Sequence, residues 1–319
     1  MRSTPKDFET KYPNVKLIHG TWDDSDILSK AAAEADITIQ CGNSDHLGAV
    51  NALLEGAASA NDGKKRFYIH LSGTGILSDF ADEDAKQWRG KLNPKVYDDL
   101  EGVEEILSRP KGSLHKHTDE VIQAAGEKYA DRLGTAIVCP PDIYGKGSGP
   151  VKVESVYFPA FIGEAKKVGA TFYYGPGENR RGWTHVQDVV QVFTLLTSEA
   201  VKGGGSATWG RQGYFLATSS EACQKELATA LGKILHAKGV LPSAEPKQVN
   251  EEVIADALSG WGYPDLGWYM FGGNSRAEPR RAAKELGWKP KGKGLYEELE
   301  GDIDLALGSG YDGTTKLGK

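Results

Sequence analysis

The chain has 319 residues, 38 basic against 44 acidic, and a net charge of −6. That is ample length for a core in one large or two small domains. No basic patch is interleaved with aromatics, no run of about eighteen apolar residues occurs, and Met1-Arg2-Ser3-Thr4-Pro5-Lys6 has no apolar stretch behind its charge. These features argue against a nucleic-acid partner, a membrane span and a signal peptide.

In chain order, Lys16-Leu17-Ile18-His19 reads as a short strand. Asp26 then caps a helix that runs to Ala35. Asp36 to Cys41 is the next strand, and Gly48 to Ala60 a small-residue apolar helix. Arg66 to Leu71 is a third strand, ending in Ser72-Gly73-Thr74-Gly75. A polar excursion follows from Asp79 to Pro110, with an acidic helix around Tyr97 to Leu107. The segment Leu114 to Ala130 is a helix that leads into the apolar, β-branched run Thr135 to Cys139, the pattern of a strand buried on both faces. Pro140 and Pro141 end that run, because proline offers no N–H to a ladder. Strand–helix alternation at this spacing predicts a parallel α/β sheet with right-handed crossovers and helices on both faces. Ligands in such sheets bind beyond the carboxyl ends of the strands. The loop Ile143-Tyr144-Gly145-Lys146-Gly147-Ser148-Gly149-Pro150 is therefore both a site candidate and the exit to a second lobe.

After Pro150 the rhythm changes. Val156 to Val168 is helical and Thr171 to Tyr174 a strand. Gly182-Trp183-Thr184-His185-Val186-Gln187-Asp188 enters a helix to Leu196, and Gly203-Gly204-Gly205-Ser206 reads as a flexible break. Gly213 to Ala217 is a strand, followed by helices at Ser220 to Lys238 and Asn250 to Ser259. A last helix closes on Glu285-Leu286-Gly287-Trp288-Lys289-Pro290, and a tail runs from 308 to 319. Three cysteines, Cys41, Cys139 and Cys223, lack metal-type spacing, which fits a reduced, cytoplasmic setting. Cys41 and Cys139 end apolar runs and read as inert core residues. His115 and His117 are two apart on the predicted helix, hence on different faces and poor joint metal ligands, so no metal is expected.

Four stretches recur in order in one family: Cys-Pro-Pro-Asp-Ile-Tyr-Gly-Lys-Gly at 139–147, Thr-His-Val-Gln-Asp-Val at 184–189, the strand Tyr214 to Ala217, and Leu-Gly-Trp-Lys-Pro at 286–290. The chain resembles the extended short-chain dehydrogenases, the NAD(P)-dependent epimerase/dehydratase group, in an atypical fungal form. The resemblance implies an incomplete Rossmann-type parallel sheet and a smaller C-terminal substrate lobe. Residues 1–150 would form the dinucleotide-binding domain, with 182–218 returning to it. Residues 151–181 and 219–307 would form the substrate lobe, with His185 to Asp188 anchoring the two parts.

Two departures stand beside the match. The family opens with a strand and a glycine-rich turn that sets the pyrophosphate on a helix N-terminus. No such turn precedes the first strand here, and Arg2-Ser3 aligns with the end of the family's second strand. About one strand–helix unit, roughly 30 residues, is expected to be missing, as in a truncated gene model or splice form. A disordered start over residues 1–15 is the alternative. Such a loss would leave sheet edges unpaired and weaken dinucleotide binding. The second departure is the family's Tyr-x-x-x-Lys pair, whose positions hold Ser113 and His117.

The catalytic candidates are accordingly Ser72 and Thr74, which flank the position where the resemblance places a side-chain hydroxyl that hydrogen-bonds the reacting carbonyl, and His117. An ordinary Ser-Gly-Thr-Gly turn and a helix-surface histidine are the bland readings of the same residues. For the cofactor, the resemblance assigns Thr21 and Trp22 beside adenine. It places Cys41, Gly42 and Asn43 at the nicotinamide-side ribose, and Pro140, Pro141 and Ile143 over the nicotinamide. It puts Arg2 where an arginine selects the 2′-phosphate of NADP, with NAD the other option. The expected function is an NAD(P)-dependent oxidoreductase or epimerase-like protein for a small carbonyl or hydroxyl substrate, with altered or lost catalytic chemistry. A non-catalytic NADP(H) sensor and a truncated non-functional isoform are the alternatives. Substrate and oligomeric state are left open.

Overall fold

A computed structural model describes residues 8–150 and 152–310. The expected parallel sheet is present. Its strands are β1 (Ile37–Gln40), β2 (Arg66–Leu71), β3 (Leu133–Cys139) and, after two strands of another sheet, β6 (Tyr214–Leu216), in the order β1-β2-β3-β6 with all neighbours parallel. All seven residues of β3 are buried, which explains its unbroken apolar run. It lies between two strands and under helices on both faces, so neither side of the pleat meets water.

The two-residue period sorts the side chains onto two cores. Tyr68, Ile137, Cys139, Tyr214 and Leu216 face one side, against Val50, Leu54 and Ala57 of α2 (Leu47–Ser59) and Ile122 of α3 (Lys116–Lys128). Ile69, Ala136, Val138 and Phe215 face the other, against Val192 and Leu196 of α5 (Val186–Val201). The preceding helix α1 (Ser25–Glu34) lies on α2 so closely that a Cβ on Gly56 would fall 2.1 Å from the Ser29 carbonyl oxygen. Gly56 therefore sits mid-helix for packing, despite its low helix propensity.

The second lobe is built on β4 (Asp142–Tyr144), β5 (Arg180–His185) and β7 (Ser220–Cys223), with β5 central, parallel to β4 and antiparallel to β7. Its core is aromatic, with Phe158, Phe161, Phe172, Trp183 and Phe271 buried together between α4 (Tyr157–Val168), α6 (Gln224–Ala237) and α7 (Leu295–Gly308). The seam between the lobes is polar and paired. His185 Nδ1 accepts the Gln187 N–H to cap α5, Asp188 accepts the N–H groups of Lys291 and Gly292, and the Trp288 indole donates to the Asp188 carbonyl. Tyr144 is buried and donates to the Lys293 carbonyl.

Several expectations are corrected. Lys16 to His19 forms no strand, and α1 is preceded by Asp24 rather than capped by Asp26. The Asp24 carboxylate instead folds back onto the Thr21 N–H and hydroxyl. Ser220 to Cys223 pairs with β5 before the helix begins. Gly203 to Ser206 is an ordered turn in which the Glu199 carboxylate accepts from Ser206 N, and Gly203, Gly204 and Gly205 all take positive φ. Cys139 is buried but Cys41 is exposed, because β1 is the sheet edge among the described residues. No helix among the described residues is long and apolar enough to cross a membrane.

Candidate active site

A cleft of about 700 Å³ opens at the carboxyl ends of β1 and β3 and runs under the second lobe. Its first wall is the loop after β1. Gln40, buried at the end of the strand, shapes that loop: its side-chain amide donates to the Asn43 carbonyl and its oxygen accepts the Gly42 N–H. Asn43 Oδ1 accepts the Asp45 N–H in an Asx turn. His46 closes the loop by capping α2 through Nδ1, while its Nε2 meets Asp23 at 3.1 Å.

The Trp22 ring lies directly on Gly42, where an added Cβ would sit 2.1 Å from the indole. Gly42 is thus required for the contact, and the indole forms a flat platform on the cleft wall. Pro141 and Ile143 line the opposite side.

The histidine on the wall is His115. It stands at the N-cap of α3 with φ 64° and ψ −15°, a left-handed backbone that costs a non-glycine residue about 1–2 kcal/mol. This conformation puts the imidazole across the turn after β2. Its Nδ1 is 2.9 Å from Asp45 Oδ1 and 3.3 Å from the Ser44 hydroxyl. Its Nε2 lies 3.0 Å from where a Cβ on Gly73 would be. The ring nitrogen therefore occupies the space beside Gly73 that a serine or threonine side chain would fill. Burial opposes charge on the ring, but the Asp45 hydrogen bond and carboxylate outweigh it and hold the imidazole pKa above its ordinary value. Burial likewise works against ionised Asp45, and the hydrogen bond and charge of His115 again prevail, lowering the carboxyl pKa. With Nδ1 tied to a carboxylate, Nε2 is the nitrogen left to exchange a proton with a ligand.

The residues named from the sequence fall into three groups. Trp22, Gly42, Asn43, Pro141 and Ile143 line the cleft. Thr21, Cys41 and Pro140 lie next to it without lining it: Thr21 holds Asp24, Cys41 faces outward and Pro140 is buried, its carbonyl accepting the Thr74 N–H. Ser72, Thr74 and His117 also stand off the lining. Ser72 is buried beneath the turn and donates to Asp119 Oδ2 at 2.9 Å, beside an equal bond from the Tyr214 hydroxyl. Burial pushes the Asp119 carboxyl up to about 6 despite His115 and those two donors. Thr74 is buried, and its carbonyl accepts from Ser275. His117 is exposed on α3, its Nε2 3.1 Å from the Asp45 carbonyl oxygen. Arg2 lies outside the described residues.

Sequence reading missed Asp45 and Ser44 and gave His115 no role. The helical spacing puts His115 inside the helix, two residues and a different face from His117. In fact His115 precedes the helix, and its backbone turn brings both rings to Asp45, one to the carboxylate and one to the carbonyl. The available signal was Asn-Ser-Asp-His, a polar run just after a strand end.

Residues 113–208 match the model of the NAD dependent epimerase/dehydratase family. Oxidase ucsJ of Acremonium sp is 28% identical over 297 residues, spanning 91% of this chain and 83% of that protein. Among solved structures, DesIV, a dTDP-glucose 4,6-dehydratase from Streptomyces venezuelae with NAD and TYD bound, aligns with a TM-score of 0.60 at 16% identity. That alignment covers 93% of this chain and 81% of that one. UDP-glucose 4-epimerase of Thermotoga maritima aligns with a TM-score of 0.55 at 15% identity, covering 95% and 87%. The α/β fold, a parallel sheet with helices on both faces, is thus shared with these two enzymes.

The nicotinamide dinucleotide of such folds can be tested against these residues. The Trp22 platform on Gly42, the loop at Asn43 and the apolar wall at Pro141 and Ile143 suit its two nucleosides. Among the described residues no glycine-rich turn opens a helix into the cleft, so the fit is to the nucleosides and not to the pyrophosphate.

Proposed function

We propose that this chain, with an epimerase/dehydratase-family segment inside an extended short-chain dehydrogenase fold, is an NAD(P)-dependent oxidoreductase or epimerase-like enzyme in which His115 does the proton work. The observation that carries this reading is the Asp45–His115 pair on the cleft wall, with Nε2 beside Gly73. There the resemblance expects a hydroxyl next to the reacting carbonyl.

When bound, the nicotinamide supplies or accepts a hydride. The protein's part is to place and move one proton. In reduction, His115 Nε2 gives its proton to the carbonyl oxygen, so one O–H and one C–H bond form as the C=O π bond breaks. In oxidation, Nε2 takes the hydroxyl proton back. Asp45 holds Nδ1–H and favours the imidazolium, which suits the proton-donating direction. The ring is 18% exposed, enough to reload its proton from solvent. His117 supports the loop through the Asp45 carbonyl and acts as a positioning residue. Trp22 would stack on adenine, Asn43 would meet the nicotinamide-side ribose, and Arg2 would select the 2′-phosphate of NADP.

A second reading, a dinucleotide sensor without turnover, is favoured by Ser113, which stands at the family's tyrosine position with its hydroxyl buried and unpartnered. Aldehyde reduction with NADPH separates the two. Oxidation of NADPH that depends on His115 supports the enzyme; a higher melting temperature with NADPH, but no turnover, supports the sensor.

A further inference from the structure

The far end of the cleft differs in chemistry from the cofactor end. It is walled by Val156, Trp261, Tyr263, Leu266, Tyr269 and Met270. Val156 is 45% exposed and Tyr263 40% exposed, so large apolar surface faces the opening. Uncovered apolar surface of this kind marks ligand grooves, since a ligand that covers it removes it from water.

The charges point the same way. The basic side chains among the described lining residues are Lys152 and His115, against the carboxylates Asp45, Asp142 and Glu154. His115 is held by Asp45. Asp142 is neutralised from behind by buried Arg181, whose Nε and Nη2 lie 2.7 and 3.1 Å from its two oxygens. The third guanidinium nitrogen of Arg181 donates to the Tyr269 carbonyl, and the group stacks 4.3 Å from the Tyr269 ring. Its donors are therefore directed inward. Lys152 and Glu154 offset each other in formal charge. A diphosphate needs charge-assisted donors, best supplied by an arginine fork, and this end offers no such fork among the described residues.

We propose that the substrate end of the cleft takes an uncharged, largely apolar carbonyl compound or its alcohol, aryl or long alkyl, and not a nucleotide-linked sugar. The reacting group in that statement rests on the oxidoreductase reading above; the apolar character does not. The two dehydratase and epimerase structures that share the fold carry names of nucleotide-sugar enzymes, so the assignment separates this chain from them.

Isothermal titration of the full chain, with and without NADPH, tests it. The probes are 2-naphthaldehyde, glyceraldehyde and UDP-glucose. Naphthaldehyde is expected to bind about tenfold or more tighter than glyceraldehyde, the scale of discrimination by apolar pockets, and UDP-glucose is expected to give no saturable heat. Val156→Arg and Tyr263→Arg sit at exposed positions and leave the cores intact. Either should weaken naphthaldehyde by about tenfold with an unchanged melting curve. Saturable UDP-glucose binding, equal affinity for the two aldehydes, or full naphthaldehyde affinity in both variants would overturn the proposal. If naphthaldehyde binds as expected and NADPH is not oxidised, the oxidoreductase reading fails while the apolar-ligand assignment stands.

Discussion

His115 and Asp45, the pair on which the proposed chemistry rests, are joined at 2.9 Å, and their pairing has a pH signature. The folded-state pKa of His115 is raised and that of Asp45 lowered. The folded protein therefore holds the histidine proton more tightly than the unfolded chain does. The stabilisation is fully present below the unfolded histidine value, about 6.5, and is lost as pH rises through the raised folded value. On the acid side it is lost as pH falls through the lowered Asp45 value. Asp45→Asn should thus lower the melting temperature most between about pH 5 and 6.5, with a smaller gap at alkaline pH. Melting curves of the two proteins across that range check this, and a gap constant with pH would contradict the pairing. Gly42 is a second residue-scale test. In Gly42→Ala the new Cβ must displace Trp22, so dinucleotide binding should weaken at least several-fold in a fluorescence titration while the fold persists. Arg2→Ala should weaken NADPH by about 1–3 kcal/mol, the range for a hydrogen bond to a charged group, and leave NADH unchanged. Equal loss of both would remove Arg2 from the 2′-phosphate.

At the scale of elements, long periodic segments were legible and backbone turns were not. The β3 run, its proline stop and α3 follow from burial on both faces and from helical spacing, and they are where the sequence places them within a few residues. Lys16 to His19 looks like a strand in isolation, but it forms no ladder among the described residues, and Ile18 is 43% exposed. Ser220 to Cys223 has weak strand propensity and becomes a strand because β5 offers it an edge. The site was half legible. Gly42, Asn43 and Pro141 could be read because they follow strand ends. His115 could not, because its role depends on a positive φ that local pattern does not encode. The outer strand β1 adds a prediction. Ile39 is 45% exposed on a strand that pairs on one side only among the described residues. Exposed apolar edges recruit other strands, so the chain of 319 residues should self-associate. Ile39→Lys should shift it toward monomer in light scattering, whereas unchanged association would show that this edge is not responsible.

The whole molecule is a sheet with a core on each face and a second lobe with an aromatic core of its own, with the cleft at the carboxyl ends of the sheet strands. The parallel sheet carries the Trp22 platform and the Asp45–His115 pair; the aromatic lobe carries the apolar wall. Asp188 accepts two backbone N–H groups from the chain after Trp288 at the seam, while buried Arg181 ties β4 to the Tyr269 carbonyl within the second lobe. The His115 side chain and the apolar wall thereby line one cavity. The most direct test of the account is the rate of NADPH oxidation with an aryl aldehyde, compared between the wild-type chain, His115→Gln and His117→Gln. The account predicts a loss of about 10²–10⁴-fold in turnover for His115→Gln, the usual contribution of a general acid, and near-normal turnover for His117→Gln. Full turnover in His115→Gln, with activity lost in His117→Gln instead, would contradict it.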